Sequence, residues 1–125
     1  MRAMTVSIAV LLASAAMAQT APPKDAKPAP LPASLVPLEK KYKATKAVFV
    51  KKPKDKVARE SFIKATTIFG HETMVHPELP ARTKYRDALR LYREVLKLEP
   101  NHPVAKKEHD LIVSIYEQMG RPVPK

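Results

Sequence analysis

The stretch His71-Glu72-Thr73-Met74-Val75-His76 puts two imidazoles and a carboxylate close together. Those groups are the ligands and the general base of a zinc-protease helix. That chemistry needs its histidines at i and i+4, so that both nitrogens leave one helix face. Here they stand five positions apart, roughly 140° around a helix at ~100° per residue. Glu72 cannot then lie between two ligands, and His71 and His76 read as a solvated pair in a connector. His102 stands in a turn beside Pro103. His109 falls on an apolar stripe, where a packed, hydrogen-bonded ring is expected rather than a ligand. Nucleophilic catalysis has little to work with. Beyond residue 18 the serines are Ser34, Ser61 and Ser114, and none sits in a strained Gly-x-Ser-x-Gly turn. Gly70 and Gly120 are the only glycines, so no phosphate-cradling loop exists. Glu108 and Asp110 point to different helix faces. These residues predict no catalytic set, no metal and no cofactor.

The remaining chemistry is charge. The chain carries a net +11 over 125 residues. From Lys40 to Lys64, ten basic residues face only Asp55 and Glu60, a net of +8. From Ala65 to the end the net is +2, and residues 19–39 are neutral. The positive field therefore belongs to Lys40, Lys41, Lys43, Lys46, Lys51, Lys52, Lys54 and Lys56. The plainest reading is a solvated, solubilising face. A functional reading is contact with an anionic lipid or polymer, at ~1 kcal/mol per lysine near anionic lipid.

The chain's start decides between partners. Met1-Arg2 is followed by the mostly apolar "MTVSIAVLLASAAMA" and an Ala16-Met17-Ala18 cleavage signal. The run is shorter than the ~20 residues a membrane span needs. Residues 1–18 therefore read as a secretory signal peptide, cut after Ala18. The expected location is periplasmic or extracellular, which argues against nucleic acid as the partner of the lysines. There is no cysteine. Disulfides, thiolate chemistry and cysteine-linked lipid anchors are excluded. Residues 19–33, "QTAPPKDAKPAPLPA", form a Pro/Ala/Lys-rich disordered linker.

The elements that must position these side chains are helices. Apolar stripes at +3 and +4 spacing predict four of them within a domain at 34–120, followed by a short tail at 121–125. The first spans about 34–51, with Ser34 as N-cap and Leu38, Tyr42, Thr45 and Phe49 as its stripe. Pro53 ends it. The second follows Asp55, an N-cap, to about Val75, with Ala58, Phe62, Ala65 and Phe69. Gly70 weakens it by ~1 kcal/mol relative to Ala and marks a bend or an end. "HPELPA" is a connector, because Pro77 and Pro80 forbid an unbroken helix. The third runs from about Ala81 to Leu98, with Tyr85, Ala88, Leu89, Tyr92, Val95 and Leu96 on one face and Arg90 placed to pair with Glu94. The fourth follows an Asn101 N-cap and carries Ala105, His109, Ile112, Tyr116 and Met119. Gly120 suits a left-handed C-cap, and Pro122 stops continuation. No segment alternates as a strand does. The fold class is all-α, built of antiparallel helical hairpins.

A shift of 47 residues lays Val48 on Val95, Pro53 on Pro100, Val57 on Val104, Ala58 on Ala105 and Phe69 on Tyr116. Each half reads helix, proline turn, helix. Within this, Ala88, Tyr92, Val95 and Pro100 resemble the second helix of a tetratricopeptide repeat, with small, aromatic, small and proline positions at the family's spacing. Phe62, Ala65-Thr66 and Phe69 resemble its first helix, with altered small residues. The resemblance covers about 1.5–2 repeats. About ten extra residues, Gly70 to Leu79, separate the two helices, and no second helix follows the last one. The resemblance implies a non-enzymatic protein-binding scaffold. Phe62, Ala65, Phe69, Ala88, Leu89, Tyr92, Val95, Pro100 and Tyr116 would pack the repeat. The implied partner is another protein or peptide. Solenoids usually need about three repeats for independent stability, so self-association or docking to a larger partner is expected. The alternative function is a polybasic envelope tether acting through residues 40–56.

Overall fold

The computed structural model describes residues 30–125. The expected signal peptide (1–18) and most of the expected linker (19–33) lie outside the described residues. Four helices follow one another: α1 (Val36–Lys51), α2 (Lys56–Met74), α3 (Ala81–Leu98) and α4 (Pro103–Gln118). No strand occurs among the described residues. Each helix packs on its neighbour in sequence, and α2 also touches α4. The result is an all-α bundle whose packing is compatible with a helical repeat.

Local chemistry sets most of the boundaries. Asp55 Oδ1 accepts the Ala58 N–H at 2.9 Å and starts α2. At the other end of the chain, Gly120 takes φ +64°. There the Gly120 N–H bonds the Glu117 carbonyl and the Arg121 N–H bonds the Tyr116 carbonyl, both at 3.0 Å. This is a Schellman closure, which satisfies carbonyls that α4 would otherwise leave open.

Two expected caps are corrected. Leu35, not Ser34, occupies the N-cap of α1, and it makes no side-chain cap bond. Ser34 is drawn instead to His76. At α4 the cap is His102 rather than Asn101: its Nδ1 accepts the Ala105 N–H at 3.2 Å. Pro103 then sits at the first helical position, where its missing N–H costs nothing. Gly70 neither ends nor visibly caps α2, which runs on to Met74. Part of the extra length after Phe69 is thus simply more helix.

The core forms two clusters. One joins α2, α3 and α4 through Ile63, Ala88, Leu89, Tyr92, Val95, Ala105, Ile112 and Tyr116. The other ties α1 to α2 and α3 through Leu35, Tyr42, Phe62, Phe69 and Leu91. The 47-residue correspondence is partly visible in burial. Ala58 and Ala105 are both buried, as are Phe69 and Tyr116. Val48 is 49% exposed while Val95 is 1% exposed. The difference is positional: α1 is an edge helix, and α3 lies between neighbours.

Candidate interaction surfaces

Eight of the nine expected packing residues, Phe62, Ala65, Phe69, Ala88, Leu89, Tyr92, Val95 and Tyr116, are buried. Pro100 is exposed in the turn between α3 and α4. Leu91, Ile63 and Thr66 are equally buried and were not among the expected packing residues. Leu91 escapes a single-stripe reading because α3 is packed on more than one side. Thr66 is small and polar, and it satisfies its hydroxyl on the Phe62 carbonyl at 2.7 Å.

Three polar junctions join the helices. At the first, the Tyr92 hydroxyl donates to Glu108, and His71 Nδ1–H donates to the same carboxylate at 2.7 Å. This ties α2, α3 and α4 at one point. Gly70 lies directly behind the Tyr92 ring: a Cβ there would come within 2.8 Å of Tyr92 Cε1. Burial, and then the Glu108 acceptor, push the Tyr92 phenol well above its ordinary value.

At the second junction, Tyr42 donates to Glu94 at 2.7 Å, and Lys46 reaches the same carboxylate at 3.1 Å. The expected Arg90–Glu94 pair does not form; α1 takes the carboxylate instead. Burial first, and Glu94 second, raise the Tyr42 phenol. The bond to Tyr42, joined by Glu94, raises the Lys46 ammonium.

At the third, His76 is buried rather than solvated. Its Nδ1 accepts the Glu78 N–H at 3.2 Å, so Nε2 carries the proton and donates to Ser34 at 2.8 Å. This anchors the entry to α1 on the connector after α2. His71, in α2, faces α4, so the two histidines do not converge. His109 bonds the adjacent Asp110 at 3.0 Å. Among the described residues no three His, Asp or Glu side chains gather as metal ligands would, and no helix is long and apolar enough to cross a membrane.

The alkaline behaviour of the first junction follows from its geometry. An unfolded chain releases the Tyr92 proton near 10.0, while the folded chain keeps it. The contribution is complete below that value and is lost as pH climbs above it, by about 1.4 kcal/mol per pH unit for each proton held. Tyr92→Phe is expected to flatten the fall in melting temperature between about pH 9 and about pH 11. An unchanged alkaline slope in that variant would refute the assignment.

Two surfaces expose apolar side chains. The first spans α2 and α4. The His71–Glu108 bond shows which sides of the two helices face each other. On α2, Lys64, Ile68 and His71 follow at helical spacing with Val75 just past the last turn, and on α4 so do Val104, Glu108 and Leu111. Ile68, Val75, Val104 and Leu111 are all exposed, from 39% to 52%. A cleft of about 350 Å³ opens beside Ile68, with Ile63 and Thr67 on one wall and Glu99 and His102 on the other. Sequence periodicity hides this surface, because each apolar residue lies off its helix's main stripe.

The second surface is the tip where α1 turns into α2. Lys51, Lys52, Lys54 and Lys56 are all exposed there. Val48, Val50 and Val57, from 49% to 72% exposed, stand among them. Lys43 pairs with Glu39, Lys46 with Glu94 and Lys56 with Glu60. Lys40, Lys41, Lys51, Lys52 and Lys54 have no acidic partner among the described residues. Compared with protein families, curated proteins and solved structures, the chain matches none.

Proposed function

We propose that the chain is an exported, non-enzymatic protein-interaction module of tetratricopeptide-like build. The observation that carries this reading is the α2/α4 face. Two adjacent helices expose Ile68, Val75, Val104 and Leu111 beside a cleft, and the bridge between His71 and Glu108 fixes their spacing. The resemblance implies a groove between stacked helix pairs that takes a peptide or another protein. Apolar side chains flanked by His71 and Lys64 suit an amphipathic peptide or a second copy of the chain. Burying them contributes at about 25 cal/mol per Å² of apolar surface.

Affinity purification of the tagged chain from its own host tests this. Ile68→Glu combined with Leu111→Glu places two charges on the face without touching the core. A protein retained by the original chain and lost with this pair of substitutions is the expected result. Identical retained sets would rule the face out.

A second reading rests on the exposed valines among unpaired lysines at the α1–α2 tip. That pattern suits an anionic lipid or polymer surface, with ammonium groups on phosphates and valines in the interfacial layer. Under this reading the chain sediments with anionic vesicles and is released by salt as charges are screened. Binding insensitive to salt would exclude it.

A further inference from the structure

We infer that a cleft between the start of α1, the end of α2 and the start of α3 binds a small carboxylate with an apolar body. The cleft has a volume of about 260 Å³. That is room for a small organic molecule rather than a single water. Its floor is apolar, made by the buried Phe69 and Leu91 with Leu79 beside them. Set in that floor is Thr73, 2% exposed, whose Oγ1 has no hydrogen-bond partner among the described residues.

That hydroxyl is unusual. The two other buried or half-buried threonines of α2, Thr66 and Thr67, return their hydroxyls to the carbonyl one turn back, each at 2.7 Å. Thr73 does not, although the same geometry is open to a helical threonine. A buried hydroxyl without a partner is unfavourable, because it has lost its water and gained no bond in exchange. The Thr73 oxygen is closed to solvent as the side chain stands, so a ligand oxygen at the floor would meet it only after a turn about χ1.

The charges at the rim give the ligand's sign. Four charged groups line the cleft: Glu39, Arg86, Asp87 and Arg90. Glu39 is taken by Lys43 at 2.8 Å, and Asp87 by Arg86 Nε at 3.3 Å. Glu94, the natural partner of Arg90 one turn along, is held by Tyr42 and Lys46. Arg90 is therefore a guanidinium with no ion pair among the described residues. It lines the cleft together with the apolar floor that Thr73 adjoins. A carboxylate matches its paired N–H donors. An apolar body matches Phe69, Leu79 and Leu91.

Benzoate is about the right size and serves as the probe, with benzyl alcohol as its neutral counterpart and inorganic phosphate as a charge without an apolar body. Amide shifts in the ¹⁵N-labelled full chain are the readout. Saturable benzoate shifts are expected at Thr73, Thr83 and Arg90, with benzyl alcohol and phosphate each weaker by roughly tenfold or more. Arg90 is exposed, so Arg90→Gln should keep the fold and weaken benzoate by about tenfold. Lys107→Gln, on α4, should leave it unchanged. Three results would each overturn the proposal: no saturation, phosphate binding as well as benzoate, or benzoate affinity unaltered by Arg90→Gln.

Discussion

Tyr92→Ala is expected to lose about 3–5 kcal/mol of stability, the usual cost of emptying a buried aromatic site. A domain of this size has only about 5–15 kcal/mol in total, so the variant should be largely unfolded well below the original melting temperature. The ring is fully buried and fills the junction of α2, α3 and α4. Its hydroxyl donates to Glu108 and lies 3.9 Å from the Met74 sulfur. Removing it leaves a cavity and deprives Glu108 of one of its two donors. Urea denaturation measures the loss, and a cost below about 1 kcal/mol would show that the junction is not central to the fold.

Gly70 makes this prediction sharper. Its missing side chain is the space against which the ring rests, and a Cβ would stand 2.8 Å from Cε1. The ring is held in place by Glu108 and cannot easily withdraw. Gly70→Ala should therefore destabilise, with overpacking of about 1–3 kcal/mol exceeding the ~1 kcal/mol gained in helix propensity. In a Tyr92→Leu background the clash disappears and only the propensity gain remains. The sign of Gly70→Ala should then reverse, a coupling that additivity forbids.

Gly70 also shows what could and could not be read from the sequence. Its cost to a helix was visible, and a bend or an end was the reasonable expectation. The compensation lies at Tyr92, far along the chain, and no local pattern shows it. The same holds for the polar junctions. His76 meets Ser34, Tyr42 meets Glu94 and His71 meets Glu108 across sequence separations of 42, 52 and 37 residues. Spacing rules reach only one helical turn, so they paired Glu94 with Arg90 and left His76 in solvent. By contrast, the four helices lie where apolar stripes and prolines put them. Asp55 opens α2 and Gly120 closes α4 by chemistry that a few neighbouring residues contain. The α2/α4 face and the Thr73 cleft depend on which helices meet. A stripe locates a helix's main buried side and says nothing about its second contact, which is why Leu91 and Ile63 went unmarked.

Phe62→Ala should cost a comparable 3–5 kcal/mol, but with a different distribution. Phe62 is 4% exposed. It stacks on Phe49 at 5.3 Å and meets Tyr42 at 6.0 Å. With Phe69, whose ring lies 5.6 Å from Tyr42, it is one of two aromatic side chains through which α2 holds α1. Helix α1 packs its backbone against α2 alone and reaches α3 only by side chains such as Tyr42 and Lys46. The cluster around Tyr92 and Ile112 contains no residue of α1. Loss of Phe62 should release α1 while α2, α3 and α4 stay packed. Hydrogen exchange reads this directly, because each 1.4 kcal/mol is a tenfold change in an opening constant. Amides of α1 should lose protection by about a hundredfold or more, against a much smaller change in α3. A uniform loss across all four helices would mean that the two clusters unfold as one unit. The released helix would also expose Phe49 and Phe69, so a Phe62→Ala chain that aggregates at its α1 face is the companion expectation, checked by light scattering with and without a Phe49→Ser substitution.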